Sequence, residues 1–461
     1  MSDAASMKPQ DRPNIIYFHS HDTGRYIRPY GHALDTPNYQ RLAEQGLLFR
    51  QAYTTAPTCS PSRAGLLTGQ SPHSAGMLGL AHRGFRLTDP TQHLATTLRD
   101  AGYRTTLAGV QHVTTGDPTE LGYQQVYPSK QVDADGIAHN AVETIRQHAA
   151  DPGTQPFFLD IGFFETHRPF PEADPEASRY VQPPAPLPDT PETRQDMADY
   201  NVSARRLDRA LGDVLDALDE TGLADFTLVI ATTDHGIAFP RMKCNLTHHG
   251  TGVLLIMRGP APFPSGVVTD ALVSQVDIYP TICELLDIER PSWLQGTSLL
   301  PVVRNTATEV NDHVFSEVTF HAAYEPQRSV RSKRWTYVER FGGRRLPVLP
   351  NCDDSASRDL LLESGWDQQE VDAVQLYDNL FDPGHNRNLA GIPVYADVER
   401  ELHDRLHAWM VATDDPLRHG DVPLPPGATV NNPDSRSFLE DLIVADDDGN
   451  LRTIPNPRTL R

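Results

Sequence analysis

Four apolar runs in the first half of the chain each end in a cluster of polar residues. Asn14-Ile15-Ile16-Tyr17-Phe18 leads into His19-Ser20-His21-Asp22, and Arg104-Thr105-Thr106-Leu107-Ala108-Gly109 leads toward His112. Phe157 to Phe164 leads into Glu165-Thr166-His167-Arg168. Thr227-Leu228-Val229-Ile230-Ala231 leads into Thr232-Thr233-Asp234-His235-Gly236. Continuous apolar runs of this kind suit strands covered on both faces. Between them the pattern becomes helical. Thr36-Pro37 reads as an N-cap and first-turn proline, with Gly46 closing that helix. Val202, Leu207, Leu211, Val214, Leu215 and Leu218 share one face of a longer helix that stops at Gly222.

Strands alternating with helices predict an α/β fold, a large central mixed, mostly parallel sheet flanked by helices. Ligands bind such sheets beyond the carboxyl ends of the strands, where all four polar clusters fall. After about Pro301 the pattern changes: 314–318, 329–331 and 334–338 read as short strands, and Leu402, Leu406, Trp409 and Met410 as a helix. The division expected is a catalytic domain over 12–305 and a smaller C-terminal α+β region over 306–461. The Pro- and Asp-rich tail after about Pro416 reads as weakly ordered.

Composition narrows the partners. With 40 basic and 61 acidic residues among 461, the net charge is −21. That argues against nucleic acid or an anionic membrane as partner, and it requires any anion site to be built from local cations. No stretch approaches the roughly 20 apolar residues of a membrane span. Met1 to Pro13 contain no apolar core of a secretory signal, so a cytoplasmic location is expected. The four cysteines, Cys59, Cys244, Cys283 and Cys352, match neither a zinc-knuckle nor a CxxC spacing.

Cys59 stands in the most informative stretch, Cys59-Ser60-Pro61-Ser62-Arg63-Ala64-Gly65-Leu66-Leu67-Thr68-Gly69. Ser60 can cap a helix, Pro61 suits its first turn and Gly69 can end it. Cys59 then sits just outside a helix N-terminus, where free N–H groups favour an anion. Arg63, four residues on, can reach back to the same place with a forked cation.

This stretch resembles the signature of the formylglycine-dependent sulfatases, Cys-x-Pro-x-Arg followed by Leu-Thr-Gly, within the alkaline-phosphatase-like superfamily. Further landmarks are similar, among them Arg12-Pro13-Asn14-Ile15-Ile16, Gln295-Gly296-Thr297-Ser298-Leu299-Leu300 and Leu376-Tyr377-Asp378. Phe49-Arg50-Gln51-Ala52, Gly76-Met77-Leu78-Gly79-Leu80 and Asp234-His235-Gly236-Ile237-Ala238-Phe239-Pro240 look like the heparan N-sulfatase (sulfamidase) type. The resemblance implies that Cys59 is converted to formylglycine by a formylglycine-generating enzyme. It also implies one divalent metal ion held at His21, Asp22, Asp234 and His235. Imidazole ligands favour Mn²⁺ or Zn²⁺ over Ca²⁺, and His19 could stand in for His21. By the same resemblance His167 contacts the sulfate and protonates the leaving group, His112 helps collapse the sulfo-enzyme adduct, and Arg63 and Lys243 bind the anionic oxygens.

One position departs from the pattern. Where the family usually has Lys-x-His, this chain has Val110-Gln111-His112, so one sulfate-binding cation is missing. The activity expected is hydrolysis of a sulfate ester or sulfamate on a small-molecule or saccharide substrate. Phosphonate monoester or phosphodiester hydrolysis on the same fold, a non-catalytic anion-binding homologue, and a thiol enzyme using unmodified Cys59 stay open as alternatives. Selectivity is expected in the loops 78–95, 116–140 and 317–350.

Overall fold

Alternation along each strand decides how the central sheet is covered. A computed structural model describes residues 12–127, 133–151 and 155–459. Residues 1–11, most of the polar stretch Met1 to Pro13, and residues 128–132 of the 116–140 loop lie outside the described residues. Eight strands form the main sheet: β1 (Asn14–Ser20), β2 (Leu47–Tyr53), β3 (Arg104–Gly109), β4 (Gln125–Tyr127), β5 (Phe157–Gly162), β6 (Thr227–Thr233), β7 (Leu255–Arg258) and β8 (Val267–Ser274). Their order is β4-β3-β5-β1-β6-β7-β2-β8, and every pairing is parallel except the two made by β7. This is the mixed, mostly parallel sheet that the sequence predicts, with the four expected strands in place.

Even and odd residues of these strands feed two cores. Ile16, Phe18, Leu159, Ile161, Val229 and Ala231 face one side and pack on Ile137, Ala141 and Ile145 of the helix Ala134–Ala150. Leu207, Leu211, Val214 and Leu218 of the helix Pro191–Glu220 complete that layer. Ile15, Tyr17, Phe158, Leu228 and Ile230 face the other side, against Leu66 and Leu67 of the helix Cys59–Thr68 and Ile282 of the helix Ile278–Leu285. Fully burying one such side chain stabilises by about 1.5–3 kcal/mol, which is why the runs read as continuously apolar.

The second core continues into a four-stranded antiparallel sheet, β9 (Val314–Phe320), β10 (Tyr324–Arg331), β11 (Trp335–Arg340) and β12 (Val374–Asp378), in the order β12-β11-β10-β9. Leu402, Leu406 and Met410 of the helix Ala396–Ala412 pack into the same core. The expected boundary at 305/306 falls between the helix Leu300–Val303 and β9. The tail differs from expectation. Rather than being weakly ordered, it forms a third antiparallel sheet, β13 (Thr429–Asn431), β14 (Leu442–Ala445) and β15 (Leu451–Ile454). Val430, Leu442, Val444 and Ala445 are buried, enough to anchor strands too short to show a period in sequence. No helix among the described residues is long and apolar enough to cross a membrane.

Candidate active site

Parallel register levels the strand ends that carry the polar clusters. His19 of β1 pairs with Thr232 of β6 and with Gly162 of β5, and Gly162 pairs in turn with Gly109 of β3. Gly162 must be glycine: a Cβ there would lie 1.8 Å from the Val110 carbonyl and 2.6 Å from the His19 ring. The loops that follow β2, β3, β5 and β6 converge over a cavity of about 660 Å³. Cys59, His112, His167 and Lys243 line it, a volume suited to a sugar-sized ligand.

Cys59 is the first residue of its helix, two positions further in than expected. Thr58 holds the cap position, and Ser60 instead accepts from the Ala81 amide at 3.0 Å. Gly69 ends the helix in the left-handed conformation at φ +67°, as read from the sequence. Cys59 Sγ lies 3.4 Å from His235 Nε2. Burial pushes the Cys59 thiol well above its usual range, and the nearby Lys243 cation only partly opposes this.

Donor atoms of Asp22, Cys59, Asp234 and His235 lie within 4.8 Å of one another, all in buried residues. Asp22 adopts the left-handed conformation at φ +52°, a strained backbone of the kind found at functional sites. Its amide donates to Asp234 Oδ1 at 2.8 Å, and its Oδ2 accepts from Lys243 Nζ at 3.0 Å. Its Oδ1 is buried without a hydrogen-bond partner, with His235 Nε2 3.2 Å away. His235 Nδ1 is 2.9 Å from the Gly236 carbonyl. A carbonyl only accepts, so Nδ1 carries the proton and the Nε2 lone pair faces the carboxylates. An orphaned carboxylate oxygen, an aligned imidazole lone pair and a second carboxylate fit a divalent cation.

His21 is not brought into this group, contrary to the expected ligand set. Its Nδ1 contacts the Phe163 carbonyl at 2.7 Å, and its Nε2 lies 3.4 Å from His112 Nδ1. The carbonyl fixes the direction of the chain: His21 Nδ1–H donates to it, so His21 Nε2 accepts from His112 Nδ1–H. His112 Nε2 in turn accepts from His82 Nδ1–H at 3.2 Å. Burial lowers both His21 and His112 well below the usual imidazole range, which keeps them neutral. His82 is lowered to about 4, first by burial and then by Arg458 and Arg83. His19 is unavailable as a substitute, because its Nε2 is 2.7 Å from Asp160 Oδ1 and its Nδ1 contacts Arg63 Nη1.

Arg63 turns beneath the site rather than into the cavity. Its Nη2 donates to the Ser20 carbonyl at 2.9 Å and to Asp234 Oδ2 at 3.1 Å. Burial would raise the Asp234 pKa, but the positive charge around it, the Arg63 guanidinium above all, holds the carboxyl well below the usual range. Lys243 does face the cavity. Its Nζ lies 3.0 Å from Asp22 Oδ2, 3.1 Å from Asp353 Oδ2 and 3.4 Å from His167 Nε2. Burial alone would lower Lys243, but Asp22 and Asp353 outweigh it and raise its pKa well above the usual range. His167 Nδ1 donates to the Arg168 carbonyl at 2.5 Å, so its Nε2 is the nitrogen facing the site. Gln111 is engaged by its own loop: its Nε2 donates to the Thr114 carbonyl, and its Oε1 accepts from the Val113 and Thr114 amides.

His82, Arg83 and His321 of the cavity wall lie in the loops 78–95 and 317–350, but sequence reasoning missed Asp353, Phe438 and Arg458. The acidic doublet Asp353-Asp354 was the only local signal, and nothing in sequence joins it to Lys243. Phe438 and Arg458 arrive on the tail.

The sulfatase family model matches residues 13–288, and the model for the C-terminal part of N-sulphoglucosamine sulphohydrolase matches 243–342. The human N-sulphoglucosamine sulphohydrolase is 31% identical over 442 residues, covering 83% of this chain and 87% of that protein. An ulvan-active sulfatase of Formosa agariphila is 27% identical over 428 residues, covering 90% of this chain and 83% of that one. The solved structure of a protein in complex with its substrate D-glucosamine-2-N,6-O-disulfate has the same fold, with a TM-score of 0.68 at 18% identity over 88% of this chain and 99% of that one.

Proposed function

The chain belongs to the sulfatase family and is a sulfuric ester hydrolase, and we propose that it acts through a formylglycine made from Cys59, with one divalent cation held by Asp22, Asp234 and His235. The observation that carries this reading is the placing of Cys59 Sγ, 3.4 Å from His235 Nε2, at a helix N-terminus on the cavity wall. An unmodified thiol is a poor nucleophile there, since burial keeps it protonated.

Oxidised and hydrated, residue 59 supplies a hydroxyl for attack on sulfur and a second hydroxyl for expelling sulfate. A cation bound beside it supplies Lewis acidity to the nucleophile and the sulfuryl oxygens. The remaining work falls to the chain's own groups. Lys243, kept charged by two carboxylates, stabilises the developing charge on sulfuryl oxygens. His167 Nε2, reaching the site between Lys243 and Asp22 Oδ2 at 3.9 Å, carries the proton to the leaving oxygen or nitrogen. His112 lines the same cavity and, with its Nε2 lone pair released from His82, takes the proton when the adduct collapses. Arg63 serves by holding the Asp234 carboxylate ionised and in place.

A sulfated saccharide is the substrate class we favour, because the cavity has the size of a sugar unit and the named relatives act on such compounds. Residue 110 brings no cation, which keeps a phosphonate monoester or phosphodiester as the second reading. Parallel rates on aryl sulfate, sulfamate, phosphodiester and phosphonate esters decide between them. Sulfate ester or sulfamate turnover dominates if the first reading holds.

A further inference from the structure

We propose that Glu339, His403 and His407 form a second divalent transition-metal site, of the zinc class, that clamps the helix Ala396–Ala412 to strand β11. None of the three lines the active-site cavity. His403 and His407 stand four residues apart on one helix, so their rings project from the same face. The ring centroids are 4.2 Å apart and 28° from parallel. Glu339 rises from β11 beside them, with Oε2 2.8 Å from His407 Nε2. One donor atom from each residue lies within 4.8 Å of the other two. Ligands about 2.1 Å from a tetrahedral ion stand roughly 3.4 Å apart, so a modest rotation of the side chains closes the set.

The hydrogen-bond geometry also points to an ion. Asp404 Oδ1 lies 3.1 Å from His403 Nδ1. The carboxylate only accepts, so Nδ1 donates to it and Nε2 is the ring nitrogen left to bind an ion, the arrangement outer carboxylates impose on metal-bound histidines. A proton now bridges His407 Nε2 and Glu339 Oε2, and the ion takes its place on binding. The side chains of His403, His407 and Glu339 are 46%, 41% and 20% exposed, so the ion enters directly from solvent. The fourth position is left to water or to a donor from another molecule. Two imidazoles and one carboxylate select Zn²⁺, Co²⁺, Ni²⁺ or Cu²⁺ over Ca²⁺ and Mg²⁺.

The test is equilibrium dialysis of the full chain against buffered Zn²⁺ followed by elemental analysis, with the Co²⁺ visible spectrum as a second readout. Wild type should retain one Zn²⁺ equivalent more than His403→Ala/His407→Ala, with the turnover of the two proteins equal. Asp404→Asn should weaken that equivalent by about ten-fold while leaving its stoichiometry intact. Glu339→Gln gives the same loss of one equivalent if the double variant folds poorly. Equal Zn²⁺ stoichiometry in wild type and the variants, or a Co²⁺ spectrum that the substitutions leave unchanged, overturns the proposal.

Discussion

Replacing Lys243 by methionine keeps most of the side chain's volume and removes its charge from between Asp22 and Asp353, 3.0 and 3.1 Å away. Lys243 is 2% exposed and Asp22 fully buried, so the carboxylates it leaves behind have little water to turn to. Breaking a buried pair from one side costs about 3–5 kcal/mol. At roughly 2.1 cal/mol/K per residue, a chain of 461 residues unfolds with about 1 kcal/mol/K, so Tm should fall by about 3–5 °C. Catalysis should suffer more. Loss of a donor aimed at developing charge lowers kcat by about 10²–10³, and Lys243→Arg, which restores the charge, should recover part of it. The assay is kcat and KM on an aryl sulfate with the mature, metal-loaded protein, beside thermal unfolding of the same samples. A Lys243→Met protein with lowered Tm but kcat/KM within about three-fold of wild type would refute the reasoning and leave Lys243 a mere counter-ion.

Three further outcomes follow from the same geometry. Chelation should abolish turnover, and Mn²⁺ or Zn²⁺ should restore it better than Ca²⁺, because His235 offers a nitrogen ligand; equal or better restoration by Ca²⁺ removes that preference. Val110→Lys should not tighten inhibition by inorganic sulfate, since Val110 is not among the residues lining the cavity; inhibition tightened about ten-fold at unchanged Tm contradicts this. Arg328, fully buried, binds Asp415 through Nε at 2.5 Å and Nη2 at 3.0 Å. Burial would raise the Asp415 pKa, but Arg328, and then His73, lower it below the unfolded value. The stability this pair contributes is therefore present above about pH 4 and lost as pH falls below it. Arg328→Met should cost about 3–5 kcal/mol at neutral pH, and its gap from wild type in urea unfolding should narrow in acid; a gap that widens in acid contradicts the assignment.

What the sequence made legible was whatever repeats locally. Ile15 to Phe18 and Leu228 to Ala231 are apolar at every position because both faces of the sheet are covered, and that alone located the ends carrying Asp22, Asp234 and His235. The Cys59 stretch was readable because proline and terminal glycine bound one helix, although Thr58 rather than Ser60 caps it. Direction was not readable. Arg63 had the reach to bind an anion, yet the buried Asp234 carboxylate and the His19 ring, 171 and 44 residues away in sequence, claim its guanidinium. His21 was drawn toward the metal group by adjacency to Asp22, but the Phe163 carbonyl and His112 hold its ring elsewhere. Asp353 and the β13–β15 sheet escaped notice because their partners come from distant loops, and three- or four-residue strands carry no period.

The central claim, that residue 59 becomes the nucleophile, is tested most directly by the mass of the peptide that contains it. The protein should be produced beside a formylglycine-generating enzyme, digested, and its residue-59 peptide weighed and treated with an aldehyde-specific hydrazide. The account predicts a peptide that has lost its thiol, gained an aldehyde and reacts with the hydrazide, with sulfatase turnover rising in proportion to the converted fraction and absent from Cys59→Ala. Full turnover from a chain whose residue 59 is entirely unmodified cysteine would contradict it.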